Sequence, residues 1–184
     1  MQVPQDTTEA APRQDGRPPG FQRVSAALRA RKHPHEPVWL EVAARTSQEA
    51  ADALGVSLGQ IAKSVVFKRK ADERAVLVIA SGDRRIDEKL LKFHTGPLGR
   101  ADADYVKACT GFSIGGVSPL GFAPTQGLED PLLFIDRELF RFELIWAAAG
   151  HPNGVFQMSP SELEALTGAP VIDVVQAQSA ELSS

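Results

Sequence analysis

Hydrophobic and polar positions follow first one period and then another along this chain, and each change of period marks an element. Phe21, Val24, Ala27, Leu28 and Arg31 recur at helical spacing, predicting a short amphipathic helix from Phe21 to about Lys32. Val38 to Val42 reads as a strand. Thr46 then caps a helix through about Leu54, with Glu49 placed to return the bond in a capping box, and Gly55 stops it. One further helical turn, Ser57 to Ala62, leads into the β-branched and aromatic run Val65, Val66 and Phe67, so Lys63 is expected at the seam between turn and strand. A second strand, Ala75 to Ala80, follows an Arg69 to Arg74 turn at the spacing of an antiparallel hairpin. Ile86, Leu90, Leu91 and Phe93 give the next helix an apolar face, and Asp102 caps another through Cys109.

Four more strands are expected at Leu132–Ile135, Phe142–Ala148, Val155–Met158 and Val171–Val175. Ser159, with Pro160 at the first helical position and Glu162 at the third, opens a helix between the last two. Six or so strands interrupted by short helices indicate an α+β or mixed α/β domain.

Composition narrows this picture. A chain of 184 residues suffices for one domain with a proper core, here 21–175, between a polar, Pro-rich tail at 1–20 and a frayed end at 176–184. No apolar run approaches the roughly 20 residues that span a bilayer, and Met1 to Gly20 lacks the apolar segment of a secretory signal, so no membrane partner and a cytoplasmic location are expected. Cys109 stands alone, which excludes an internal disulfide and suits a reducing compartment. His33-Pro34-His35 reads as a turn, because no cysteine or carboxylate cluster completes a zinc site. Neither a metal nor a cofactor is expected.

Charge is unevenly spread. Lys63 to Lys107 holds 11 Lys and Arg against 7 Asp and Glu, whereas Leu120 to the end holds 2 against 9. One basic face, including Lys68, Arg69, Lys70, Arg84, Arg85, Lys89 and Lys92, can therefore meet a polyanion, although solvated surface charge gives the same pattern.

Three places carry candidate chemistry. Lys63, beside an apolar run, can bury its stem and present its ammonium to a carbonyl or phosphate, or it can simply protect a sheet edge. The segment Gly111 to Phe122 is rich in glycine between apolar flanks, a composition that serves either an ordinary turn or a loop whose amides approach a ligand. Asp136 most simply caps the turn Arg137 to Phe140, and His151-Pro152-Asn153-Gly154 is a turn that carries a histidine.

Taken in order, Ile61-Ala62-Lys63-Ser64, Gly82-Asp83-Arg84-Arg85-Ile86-Asp87, Gly115-Gly116-Val117-Ser118-Pro119, Phe134-Ile135-Asp136 and Ala149-Gly150-His151-Pro152-Asn153 resemble the motifs of the YbaK/ProX family of aminoacyl-tRNA editing domains. The resemblance runs from about Phe21 to Val175. It implies a mixed, partly closed sheet surrounded by helices, and a deacylase that hydrolyses mischarged aminoacyl-tRNA in trans, with a synthetase as a further partner. By the same resemblance Lys63 positions the terminal adenosine or the aminoacyl carbonyl. Gly115, Gly116, Val117, Ser118 and Pro119 form the loop that holds the carbonyl or the water. His151 and Asn153 match a histidine-containing loop found in some branches, and Asp136 the aspartate that ends a strand.

An aminoacyl ester is already activated, so a positioned water, an oxyanion donor and the ribose hydroxyl suffice without a nucleophilic triad. The expected substrate is a tRNA bearing a small wrong amino acid such as alanine, serine or cysteine, on tRNA(Pro). A binding module that recognises the aminoacyl end or a synthetase without hydrolysis is the rival reading, and a small-ester hydrolase the third.

Overall fold

The strand Ala75–Ser81 is buried along its whole length, and the sheet is built outward from it in this computed structural model, which describes residues 16–177. The strands are β1 (Val38–Trp39), β2 (Ile61–Arg69), β3 (Ala75–Ser81), β4 (Leu98–Arg100), β5 (Leu132–Asp136), β6 (Ile145–Ala148), β7 (Gly154–Met158) and β8 (Val171–Ile172). They form one mixed sheet in the order β1-β7-β6-β2-β3-β5-β8, with β4 joined to β2. The helices are α1 (Pro19–Ala30), α2 (Ser47–Leu54), α3 (Glu88–Thr95), α4 (Ala103–Thr110) and α5 (Pro160–Thr167). A mixed sheet with short helices around it is the architecture expected.

Both faces of β3 are covered, which is why its apolar residues run without a polar break. Leu77 and Ile79 enter the main core with Phe21, Val24 and Leu28 of α1, Val106 of α4 and Leu163 of α5. Val76 and Val78 pack on the opposite face against Leu91 of α3, Leu98 and Val174. A third cluster joins Ala50 and Ala51 of α2 to Ile61 and Trp146. Cys109 is buried in α4.

Local signals account for the helix ends. Thr46 accepts from the Glu49 amide while the Glu49 carboxylate takes the Thr46 amide, and Gly55 ends α2 in the left-handed region at φ 66°. Ser159 and Glu162 form the same box at the start of α5, and Asp102 caps α4. The hairpin of β2 and β3 pairs residues 62–68 with 75–81, as expected.

Several expectations need correction. The 3₁₀ turn is only Leu58–Gln60; Ile61 and Ala62 already pair with Trp146 and Ala147, so Lys63 lies inside β2, beyond the seam. Strand β1 ends at Trp39, because the next amides are drawn to the turn at 151–154: Leu40 bonds the Asn153 carbonyl and Ala44 that of Pro152. Strand β6 begins at Ile145, Phe142 being the cap of a 3₁₀ turn. After Ile172 the chain leaves the sheet, Val174 bonding Asp136 and Val175 bridging Ile86.

In α3 the Asp87 cap sets a phase that turns Leu91 and Thr95 inward, so Phe93 is 87% exposed and Leu90 38%. Strand β4 was not expected; three residues against Phe67–Arg69 are too few to show a period. Helix α1 starts at Pro19, two residues before the expected Phe21. The tail expected at 1–20 is described only from residue 16, and the frayed end only to residue 177.

Candidate active site at a split in the sheet

Strand β2 has different neighbours along its two edges. One edge is paired to β3 throughout, from Ala62 to Lys68. The other meets parallel β6 at Ile61 and Ala62 and antiparallel β4 at Phe67–Arg69, which leaves Lys63–Val66 without a strand partner on that side. The Ile61 carbonyl accepts from the Gly82 amide on the β3 side. Backbone groups alternate along a strand, so the amide and carbonyl of Ser64 face the unpartnered edge.

A cavity of about 280 Å³ occupies this split. Its walls come from β2 (Ile61–Val65), β6 (Trp146 to Ala148), the segment Arg45–Ser47 entering α2, and Ile114, Gly115 and Val117 of the glycine loop.

Lys63 is half-buried and donates from Nζ to the Arg84 carbonyl. Two of the three ammonium hydrogens remain for other acceptors. Burial pushes its pKa below the ordinary 10.5, with nearby Asp83 acting in the opposite sense. The Arg84 carbonyl is itself held in place: the Arg84 guanidinium lies 3.3 Å from both Asp83 Oδ2 and Glu138 Oε2. Arg141 ties Asp83 Oδ1 and Ser81 Oγ, each at 2.9 Å.

The glycine loop has no regular structure and is anchored by buried Phe112, Val117 and Leu120. Gly115 has φ +93°, a region costly for other residues. At Gly116 a Cβ would lie 2.8 Å from His151 Cα, so only glycine lets the loop lie flat on the His151 turn. The Gly116 amide is taken by the Ser113 carbonyl at 3.0 Å. Among the described residues the Gly115 and Val117 amides have no partner in the protein, and both residues line the cavity.

The structure therefore brings Lys63, Gly115 and Val117 to one cavity and places the other candidates elsewhere. His151 stands behind the loop: its ring stacks on Trp39 with centroids 4.9 Å apart, and its Nδ1 accepts from the Asn153 amide. That bond puts the ring proton on Nε2 in the neutral form. Burial lowers its pKa below the ordinary 6.5, and Arg45 lowers it further. Asn153 spends its side-chain amide on the Leu40 carbonyl. Ser118 is fully buried and its Oγ accepts from the Leu120 amide, while Pro119 borders a different hollow beside Gly121 and Phe122. Asp136 is fully buried, and its two oxygens accept from the amides of Glu138 and Val174. These bonds join β5 to the next turn and to the chain end of the sheet.

Two residues of the site escaped the sequence reading. Ser64 and Trp146 line the cavity, and Ser64 Oγ and Trp146 Nε1 are the buried side-chain polar atoms without a hydrogen bond among the described residues. Ser64 stood inside a quoted motif, next to the lysine; nothing local marks Trp146, which reaches the site only through the parallel pairing of β6 with β2. The basic face is also reduced. Lys68, Arg69 and Arg84 are engaged by Glu73, Asp72 and Glu138, whereas Lys70, Arg85, Lys89 and Lys92 enter no ion pair among the described residues.

Comparison with known proteins places this geometry. The sequence profile of the aminoacyl-tRNA editing domain matches residues 41–166. The uncharacterized protein YwhH of Bacillus subtilis is 36% identical over 136 residues, 73% of this chain and 83% of that protein. A proline–tRNA ligase of Pelotomaculum thermopropionicum is 34% identical over 89 residues, 47% of this chain but only 15% of the ligase. Among solved structures, a candidate trans-editing enzyme for prolyl tRNA synthetase superposes with a TM-score of 0.78 at 37% identity, covering 88% of this chain and 99% of its own. The hypothetical protein APE2540 superposes at 0.76 with 31% identity, over 84% of this chain and 99% of its own.

Proposed function

The chain belongs to the aminoacyl-tRNA editing domain family, and from that premise we propose that it is a deacylase acting in trans on a mischarged tRNA carrying a small amino acid such as alanine, serine or cysteine, on tRNA(Pro). The observation that carries this reading is the meeting of Lys63 with the unengaged amides of Gly115 and Val117 on one cavity, opened where β2 parts from β6. Such a group of donors suits a carbonyl oxygen that gains negative charge.

Water attacks the ester carbonyl carbon, and the tetrahedral oxyanion forms against the Lys63 ammonium and the loop amides. Collapse breaks the bond to the ribose oxygen. That oxygen takes up a proton and leaves on the tRNA, while the amino acid departs as its carboxylate. Lys63 is a positioned cation; the Arg84 carbonyl fixes its reach, and the ion pairs of Arg84 fix that carbonyl. His151 acts through the loop by bracing Gly116, and Asp136 holds the sheet end.

A chain whose fold matches the candidate trans-editing enzyme for prolyl tRNA synthetase also fits a prolyl-tRNA synthetase as a partner. The test is release of amino acid from alanyl-, seryl- and cysteinyl-tRNA(Pro) beside the corresponding free aminoacyl esters. Release that depends on the tRNA is expected. No release from any of them leaves a binding module, and equal action on free esters a small-ester hydrolase.

A further inference from the structure

Resting on the reading of Lys63 as the cation of the cavity, we infer that Arg141 is a positioning residue for it: by holding the Asp83 carboxylate, Arg141 keeps that group from pairing with the Lys63 ammonium, which stays free for the substrate. Arg141 ends the 3₁₀ turn Arg137–Arg141 after β5 and is not among the residues that line the cavity. Asp83 stands in the turn after β3, next to Arg84, whose carbonyl accepts from Lys63 Nζ.

Two acceptors therefore compete for one ammonium. Asp83 is near enough to act on the charge of Lys63, yet the lysine enters no ion pair among the described residues. Its bond goes to a neutral carbonyl, which fixes the ammonium without offsetting its charge. The carboxylate is engaged elsewhere: Oδ1 accepts from Arg141 Nη2 at 2.9 Å, and Oδ2 lies 3.3 Å from Arg84 Nη1. Burial alone raises the Asp83 carboxyl, but the bond from Arg141 leads the groups that together hold it below the ordinary carboxylate range, so it is charged near neutral pH.

Arg141 is itself fixed on several sides. Its Nη2 also donates to Ser81 Oγ at 2.9 Å and its Nε to the Glu138 carbonyl at 2.8 Å, while the guanidinium lies 4.7 Å from the Phe142 ring centroid. Ser81 is fully buried and its Oγ donates to the Gly59 carbonyl, so the turn that bears Asp83 is tied to the turn that leads into β2. Arg84 cannot replace this hold, because its guanidinium is shared between Asp83 and Glu138 at 3.3 Å each. Without Arg141, Asp83 turns toward the other nearby cation, Lys63. A carboxylate bound there offsets the charge on which the oxyanion depends.

The experiment uses the full chain with isotopically labelled lysine, so that NMR follows the charge of Lys63, its signal being identified by its loss in Lys63→Met. Release from mischarged tRNA is measured beside it. Arg141→Ala removes the whole side chain, whereas Arg141→Gln removes the charge but keeps a donor for Ser81 Oγ or the Glu138 carbonyl. In both, Lys63 loses its proton at higher pH than in wild type, and deacylation falls at least ~10-fold, in kcat more than in KM. Adding Asp83→Asn to either brings the Lys63 titration back to the wild-type position or below it and raises the rate, although Asp83→Asn alone does not speed the wild type.

A cluster that only held the fold would make the double variants slower than either single one. That result in an active protein, or a Lys63 titration unmoved by Arg141→Gln, overturns the inference. If the wild type releases amino acid from no tRNA, the deacylase reading fails and the titration alone decides. A rise in Arg141→Gln that Asp83→Asn reverses then upholds the inference, and no rise overturns it.

Discussion

The two edges of β2 are made of the same residues and have opposite fates. Toward β3, seven residue pairs in register seal the strand into a double-sided core. Toward β6 and β4 the strand is held only at its ends, and between them Lys63–Val66 borders a cavity. One edge gives the other its rigidity: β2 can leave a stretch of backbone unpaired because its other side is fully paired. A site on a strand fixed in this way keeps its geometry better than one on a loop.

Substitutions on the two edges are expected to separate stability from activity. The largest effect falls on the sealed side, where Leu77→Ala opens a void in fully buried packing and costs ~2–5 kcal/mol in chemical denaturation. Below its lowered melting point this variant retains the wild-type rate of deacylation; a lost rate in the folded variant would show that the two edges are not separable.

Next comes Lys63→Ala, which lowers deacylation by ~100-fold, a loss of ~2.7 kcal/mol in transition-state stabilisation. Its melting temperature does not fall. Burial lowers the lysine's pKa below the ordinary 10.5, so its favourable contribution to folding is present above the unfolded pKa and lost as pH falls through the folded one. Near neutral pH the charged lysine therefore works against the fold. Melting Lys63→Met beside wild type from pH 7 to pH 11 checks the sign: the variant is the more stable at pH 7, and the difference shrinks toward pH 11. A Lys63→Ala protein with wild-type turnover removes Lys63 from the mechanism.

A smaller loss is expected at Asp136. Asp136→Ala leaves the Glu138 and Val174 amides without their acceptor and costs ~1–3 kcal/mol, read as a lower denaturation midpoint. The deacylation rate of the folded variant stays at the wild-type value, and a tenfold drop would return Asp136 to the substrate. The smallest effect belongs to Phe93→Ser on the outer face of α3, within ~0.5 kcal/mol of wild type, because the ring buries little.

That last residue shows where sequence reading ends. Thr46 with Glu49, Ser159 with Glu162 and Asp102 specify helix starts through contacts three residues away, so those starts were legible. Phe93 was assigned to the inner face because it is apolar, yet the phase set by Asp87 gives that face to Leu91 and Thr95. At the site, Lys63 and the glycine loop stood out through composition and resemblance. Trp146 did not, since its place depends on a parallel pairing between residues 85 positions apart, Ile61 with Trp146. Separation along the chain also hid the place of Asp136 away from the cavity: its role as a cap was visible locally, but its bond to Val174, 38 positions on, was not.

The chain has two tryptophans, one lining the cavity and one behind the glycine loop. Trp39 lies between the His151 ring and the Arg17 guanidinium, 4.3 Å from its centroid, and Trp146 faces the cavity. Excited indole loses its emission readily to a protonated imidazole, so light from Trp39 follows the charge on His151, whose pKa burial and then Arg45 lower from the ordinary 6.5. Emission from Trp146 shifts as a ligand enters the cavity that this ring lines. The molecule thus carries two native optical probes, one of the cavity and one of the turn that braces its loop, and both can be followed in the untagged, unlabelled protein.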